Sequence, residues 1–432
     1  MVDTVAIVSV AVTCLLVVYS AAIYPALLSL WAKLRPSPRK QANIQPLVSV
    51  IIPAHNEQAV IAQKLDNLLA TAYPRELFEV LVVSDCSTDA TDAIVRSYAP
   101  RVRLVRAPLR SGKQVCLNLA TAQATGEILL FSDAASLLAP DAIALLVRHF
   151  ADPSIGAASS AIRVRRESPE GEGMYLGADC ALRVREGEIS SVVGCVGPCY
   201  AMRRECFKPF HPADCDDFAV VFNVVACGKR AIMDPQVVCD MLPARGAKGE
   251  LIRKVRTMAG ALDTLWRYRR QIMRSAPPSL LWFIASHKIC RWLVPLSVLW
   301  TGLAVTAGAC LGHSSWQMLF ATGLSVVGIG LFACRFSYQN PHLARLKPFG
   351  FFVISMWAGV VAWWKAFAGK KQVVWQPTIR LPESQCRRPA MQSVQASNIE
   401  FRDDQEFDDE STSDRFAGES TGLLTAIGEN AC

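Results

Sequence analysis

Apolar positions along this chain follow two different patterns. Residues 5–31 (VAIVSVAVTCLLVVYSAAIYPALLSLW) form a run without a charge, and about 20 apolar residues already cross a bilayer as a helix. Asp3 precedes the run, and Lys33, Arg35, Arg39 and Lys40 follow it. An acidic start argues against a cleaved signal peptide, and the trailing bases predict a cytoplasmic location for what comes next. Residues 1–32 are therefore expected to be a transmembrane anchor. A second apolar block, 279–368, contains runs at 292–311, 317–334 and 349–367 that are each near bilayer length. Its opening stretch, SLLWFIASHKICR (279–291), is interrupted by His287, Lys288 and Arg291 and is expected as an interfacial helix. The basic loop Arg335–Lys347 asks for the cytoplasmic side, as do Lys365, Lys370 and Lys371. Three spans cannot satisfy both requests, so the topology is open at this point.

Between the two blocks, residues 45–275 have the patterning of a folded α/β domain. VSVIIP (48–53), EVLVV (79–83) and EILLF (127–131) predict strands, while Glu57–Ala70 carries apolar residues at 60, 61, 65, 68 and 69, close to helical spacing. Strand, helix, strand in that order predicts a mostly parallel sheet with helices on its faces, which binds ligands beyond the carboxyl ends of its strands. Polar residues cluster at those ends: Pro53-Ala54-His55-Asn56-Glu57, then Ser84 to Asp89, then Ser132-Asp133. Three such ends in sequence order define a candidate site.

Composition narrows the class. The chain has 432 residues, 52% hydrophobic and 19% charged, which excludes a disordered, collagen-like or disulfide-stapled protein. Residues 382–432 hold eleven acids against four bases, net −7, so with +8 overall the rest carries +15. Residues 381–432 are expected as an acidic disordered tail. The basic apolar body suits anionic membrane lipids or phosphorylated ligands rather than nucleic acid. Fifteen cysteines without a C-x-x-C pair read as small buried side chains, reduced in a cytoplasmic domain. A transporter is disfavoured by the large soluble insert and by spans with few buried charges.

The ordered set VSVIIPAHNE (48–57), VVSDCSTDAT (82–91), RSGKQVCLNLA (110–120), ILLFSDAAS (128–136), DCDDFAV (214–220) and RKVR (253–256) resembles the membrane-bound family 2 glycosyltransferases, inverting enzymes of GT-A fold. The resemblance covers roughly 45–380, since SHKICRWLVPL (286–296) and GKKQVVWQPTIR (369–380) also look like this group's membrane region. It implies a GT-A nucleotide-sugar-binding domain flanked by transmembrane helices, a nucleotide-diphosphate sugar donor (UDP-linked in most relatives), and Mg²⁺ or Mn²⁺. The implied acceptor is a polysaccharide or a lipid-linked sugar. By position, Asp85 would accept the base N–H, with a helix cap as its alternative use. Pro53, Ala54, Asn56 and Glu57 would line the nucleoside, although Asn56 suits a turn equally well. Lys113 would counter the diphosphate or reach the base. Asp133 would hold the metal, but the chain reads Asp133-Ala134-Ala135 and lacks the second carboxylate of the family's Asp-x-Asp. Asp217 would be the general base with Asp216 orienting it, and the two acids also favour a helix start. Arg253 and Arg256 would face the leaving diphosphate. The family's Gln-x-x-Arg-Trp signature is reduced here to Arg253-Lys254-Val255-Arg256-Thr257, which makes long-chain synthesis less secure than sugar transfer itself. The stretch 251–274 also fits an amphipathic helix at the membrane surface. The small-residue stretch 187–199 is read as the acceptor side. A catalytically weak or inactive relative that binds nucleotide sugar, or acts as a scaffold, is the alternative. Sugar, linkage and oligomeric state are not encoded legibly.

Overall fold

The computed structural model describes residues 2–35, 37, 39–164, 170–241, 246–336 and 346–369. The acidic tail, Lys370, Lys371 and most of the 335–347 loop lie outside these residues. The strands are β1 Val48–Ala54, β2 Phe78–Ser84, β3 Val102–Arg106, β4 Ile128–Ser132, β5 Ser136–Leu138, β6 Ile155–Val164, β7 Cys199–Arg203 and β8 Arg230–Met241. They form one sheet in the order β3-β2-β1-β4-β7-β6-β8-β5. β1 pairs in parallel with β2 and β4, and β2 with β3. This is the half that the three apolar runs predicted. β7 enters antiparallel between β4 and β6, and β5 runs antiparallel along β8. All strands except β5 and β7 point the same way, so the sheet is mixed but mostly parallel.

Every residue of β1 is buried, as expected of a strand with helices on both faces. Side chains alternate between two cores. Ile51, Leu81, Leu129 and Phe131 enter one, while Val50, Ile52, Val82 and Leu130 enter the other. The helices are α1 Val2–Leu34, α2 Ile61–Leu69, α3 Thr91–Arg96, α4 Lys113–Gln123, α5 Ala142–Val147, α6 Glu170–Ile189, α7 Asp216–Ala226, α8 Gly246–Ser275, α9 Pro278–Cys310, α10 Ser314–Phe336 and α11 Lys347–Phe367. Residues 58–60 form a tight turn, in which the Glu57 carbonyl accepts the Val60 and Ile61 N–H groups at 3.0 Å each, and α2 continues from Ile61. Its apolar stripe of Ile61, Leu65 and Leu68 includes Lys64, which is also 0% exposed.

Among the described residues four helices are long and apolar enough to cross a membrane: Val2–Leu34, Pro278–Cys310, Ser314–Phe336 and Pro348–Phe367. Residues 279–291, expected as an interfacial helix, form the first part of α9, which continues unbroken to Cys310. Both α1 and α9 contain a π-helical turn, at Tyr19–Ile23 and Ile284–Cys290. The two turns meet: Tyr19 Oη lies 2.7 Å from Ser286 Oγ, and Trp282 Nε1 donates to Tyr19 Oη at 3.1 Å. Farther along, the Thr13 and Thr301 hydroxyls are 2.9 Å apart, and Trp316 Nε1 donates to Asp3 Oδ1 at 2.7 Å. The start of α1 and the start of α10 therefore share one end of the bundle.

Candidate active site

The three strand ends converge. Asp85 N–H donates to the Ala54 carbonyl at 2.8 Å, extending the β1–β2 ladder by one bond, and the Asp85 carbonyl accepts from His55 Nδ1 at 2.7 Å. Asn56 N–H reaches Ser87 Oγ at 3.2 Å, Thr88 N–H donates to Asn56 Oδ1 at 2.8 Å, and Glu57 N–H donates to Thr91 Oγ1 at 2.9 Å. Asn56 and Cys86 both sit in the left-handed region, at φ 54° and 56°. Such conformations persist where surrounding bonds fix them, and they concentrate at ligand sites. Asn56 thus carries out the turn role open to it, at the edge of the crevice.

Asp85 is 1% exposed and its carboxylate is shared with the chain. Oδ1 accepts the Ser111 N–H at 2.7 Å and Oδ2 the Gly112 N–H at 3.0 Å. Gly112 adopts φ 93°, a conformation glycine takes without steric cost. Asp85 therefore anchors the turn from which α4 departs, and the first residue of α4 is Lys113. Its ammonium lies 3.1 Å from Asp133 Oδ1 and 3.2 Å from Asp216 Oδ2. Burial alone would lower the Lys113 pKa, but Asp133 and Asp216 raise it well above its ordinary value. The ammonium is fixed as a cation between the two acids.

Asp216 and Asp217 open α7, where acids favour the positive helix end. The structure places both acids in the first turn of that helix. Asp216 Oδ2 also accepts from the fully buried Tyr200 hydroxyl at 3.0 Å, so this acid is tied on two sides. Asp217 is less encumbered: Cys215 Sγ approaches its Oδ1 at 2.9 Å, and its carbonyl accepts the Cys195 N–H at 2.8 Å. Burial and then the neighbouring Asp216 push the Asp217 carboxyl above the ordinary carboxylate range, against the pull of Cys215, Arg183 and Lys113. A general base benefits from that direction, because a higher pKa makes it a better proton acceptor. A Cβ at Gly197 would lie 3.8 Å from Asp217 Oδ2, so the 190–198 segment passes directly over this carboxylate.

Arg253 pairs within its own helix, with Nη2 2.7 Å from Glu250 Oε1. Helix α8 meets the acid turn further on, where Thr264 Oγ1 accepts the Cys215 N–H at 2.8 Å and Arg267 Nε bonds Asp214 Oδ1 at 3.0 Å. Arg256 lies one turn before Gly260, whose position faces Cys215. Two residues escaped the sequence reading. Lys64 Nζ donates to Ser132 Oγ and to the Ser136 carbonyl, both at 2.7 Å, bracing the turn that carries Asp133 from beneath. A lysine inside the apolar stripe of α2 was the available signal. Tyr200 offered none, because an aromatic residue within a strand is ordinary core.

The expected cofactor, Mg²⁺ or Mn²⁺, meets a lean donor set. Asp133 supplies one hard carboxylate, position 135 is a buried alanine, and among the described residues no three His, Cys, Asp or Glu side chains converge. Mg²⁺ commonly takes one or two carboxylates and completes its octahedron with phosphate oxygens and water. Asp133 fits that requirement. Asp133→Ala is expected to weaken metal-dependent nucleotide binding by about 1.5–3 kcal/mol, roughly ten- to a hundredfold in Kd. Calorimetric titration with and without Mn²⁺ checks this, and equal affinities in variant and wild type would remove Asp133 from the metal site.

Residues 49–209 match the family model described as Glycosyl transferase family 2. The chain is 32% identical over 157 residues to the beta-monoglucosyldiacylglycerol synthase of Synechocystis sp., a match covering 35% of this chain and 33% of that relative. The chain thus spans about a third of that relative's length. It is 26% identical over 333 residues to an N-acetylglucosaminyltransferase of Rhizobium meliloti, covering 71% of this chain and 74% of the relative. Among solved structures it is similar to the mannosyltransferase PcManGT from Pyrobaculum calidifontis in complex with GDP-Man and Mn²⁺. That similarity has a TM-score of 0.68 at 27% identity and covers 86% of this chain and 100% of the other.

Proposed function

We propose, from the match of residues 49–209 to the Glycosyl transferase family 2 model, that the chain is an inverting glycosyltransferase working at a membrane. The observation that carries the reading is the Lys113 bridge between Asp133 and Asp216, beside the partly exposed Asp217 at the strand ends. It sets one cation and the candidate metal ligand where a diphosphate would lie, and a raised carboxyl one residue from the bridge. In the proposed step an acceptor hydroxyl attacks the anomeric carbon of the donor sugar. The C–O bond forms as the bond to the nucleotide diphosphate breaks, Asp217 takes the hydroxyl proton, and configuration inverts. A divalent cation on Asp133, when bound, would neutralise charge developing on the diphosphate. Lys113 adds a fixed positive charge there, and Arg253 and Arg256 remain candidates for the same task. Asp85, with Pro53, Ala54, Asn56 and Glu57, forms the nucleoside end; Ser111, Gly112 and the Cys116 thiol use three of the four carboxylate lone pairs, leaving one for a base N–H.

The acceptor is proposed to be lipid-linked or a growing polysaccharide. Phe218, next to the base, lies 6.1 Å from the Trp292 ring of α9, so the proton acceptor sits within one side chain of a candidate membrane helix. The Synechocystis relative is named for a glycolipid product, which supports the lipid choice. Trailing bases after α1 support a cytoplasmic catalytic domain. The donor base is proposed as uracil from the sequence resemblance, although the similar solved structure holds GDP-Man. The deciding experiment is nucleotide release from a panel of UDP- and GDP-sugars by detergent-purified chain, with and without Mn²⁺ or Mg²⁺. Metal-dependent turnover of one sugar identifies the donor. Binding without turnover across the panel favours the inactive-relative reading. The acid limb of kcat/KM is expected above the ordinary carboxylate range, since Asp217 must be ionised to act and its pKa is raised.

A further inference from the structure

Helix α6 carries Asp179, Arg183 and Glu186 on one stripe, spaced four and three residues apart. Asp179 and Glu186 are 6% and 0% exposed. Buried charges persist only when they are paired and hydrogen-bonded, and here the partners come from the candidate membrane helices. His287, within the π-helical turn of α9, stands between the two acids. Its Nε2 is 2.7 Å from Asp179 Oδ1 and its Nδ1 is 2.6 Å from Glu186 Oε1. Tyr24 of α1 donates to the same Glu186 oxygen at 2.8 Å. Lys288 and Arg291 approach Asp179 Oδ1 at 3.7 and 3.5 Å.

The other side of the stripe faces the catalytic centre. Arg183 Nη2 is 2.7 Å from Asp179 Oδ2, while its Nη1 donates to the Cys195 carbonyl at 2.8 Å. Glu186 Oε2 accepts the Val193 N–H at 3.1 Å. Two side chains of one helix thus grip the backbone of the 190–198 segment, and Cys195 N–H is bonded to the carbonyl of Asp217 itself at 2.8 Å. The connection is continuous from Tyr24 through Glu186, His287, Asp179, Arg183 and Cys195 to Asp217. The guanidinium serves Asp179 and the Cys195 carbonyl from two different nitrogens of one planar fork, a spacing that a lysine's single ammonium nitrogen does not reproduce.

We propose that Arg183 is a positioning residue for Asp217, locked by His287, so that the general base is oriented only when the catalytic domain is seated on the membrane helices. This rests on the reading of Asp217 as base. Misplacing a reacting group by about 1 Å costs on the order of 100-fold in rate. Arg183→Lys is therefore expected to lower kcat by roughly 10- to 100-fold with donor KM within about twofold. Arg183→Gln also removes a positive charge. The charged and titratable groups facing Asp217 are then Asp216 and Cys215 on its own turn, Lys113 from α4, Tyr200 from β7 and Cys195 from the overlying segment. With one cation fewer among them, the acid limb of kcat moves to higher pH in Arg183→Gln and stays in place in Arg183→Lys. His287→Gln is expected to repeat the kcat loss in a weaker form.

The test uses the full chain in detergent, with nucleotide binding measured beside turnover for all three variants. Wild-type protein that turns over no donor would sink the glycosyltransferase reading itself. Wild-type turnover matched by Arg183→Lys would sink only the positioning role. A kcat loss in Arg183→Gln with an unmoved acid limb, or joint loss of nucleotide binding and turnover in every variant, would assign the network to stability alone and overturn the proposal.

Discussion

Asp217→Asn is expected to yield a folded protein that binds nucleotide with near wild-type affinity and transfers sugar about 10²–10⁴-fold more slowly, the usual contribution of a positioned general base. The substitution is close to isosteric. It preserves the Cys195 N–H bond to the Asp217 carbonyl, so the overlying segment stays in place, while the neutral amide can no longer take a proton. Asp216 cannot substitute readily, because its Oδ2 already receives both Lys113 and Tyr200. Removing Asp217's charge also relieves the repulsion between the two acids, which protects folding. Initial rates of nucleotide release with acceptor present, set against calorimetric nucleotide binding, decide the matter. Normal turnover in Asp217→Asn, with loss in Asp216→Asn, would exchange the roles of the pair.

The second large effect is expected in stability. Asp179→Ala strips the anion from a site where Arg183, His287, Arg291 and Lys288 approach within 2.7, 2.7, 3.5 and 3.7 Å. Breaking a buried pair by removing one partner costs about 3–5 kcal/mol, because the remaining charge is left uncompensated. At about 2–4 °C per kcal/mol for a chain of this class, Tm is expected to fall by roughly 10 °C in detergent. Burial alone would raise the Asp179 carboxyl, but Arg183, Lys288 and His287 hold it well below the ordinary 3.8. A depressed folded pKa contributes stability that is complete above the unfolded value and is lost as pH falls through the depressed one. Wild type should therefore show no loss from this site between pH 7 and about pH 5. An Asp179→Ala protein with unchanged Tm would mean that water solvates these cations once Asp179 is gone, and that the pair carries no net stability.

What the sequence disclosed follows from how local each signal was. β1, β2 and β4 are short apolar runs ending in polar turns, and both features are visible within ten residues. Asp85, Lys113, Asp133 and Asp217 stood out as chemically capable residues in a recognisable order. The antiparallel half was silent. β6 reads IGAASSAIRV, with small residues in place of alternation, and β7 lies beside a stretch read as acceptor loop. The charged stripe of α6 resembles any solvated helical face. Its meaning depends on His287, which is 101 residues from Glu186, and on Tyr24, which is 162 residues from it. His287, Lys288 and Arg291 were noticed, but with no partner in view they suggested water and a membrane surface. In the structure all three face Asp179.

The same long separation bears on how the protein is made. Ribosomes add about 5–20 residues per second, so the 101 residues between Glu186 and His287 take roughly 5–20 s to appear. Through that interval the nascent catalytic domain holds Asp179 and Glu186 without the side chain that joins them. Completion of the second candidate span is then the event that finishes the enzyme's interior as well as its attachment. A chain released before that point would carry the whole strand-end crevice, with Arg183 and Glu186 already on the segment over Asp217, and still lack His287, which joins Asp179 to Glu186.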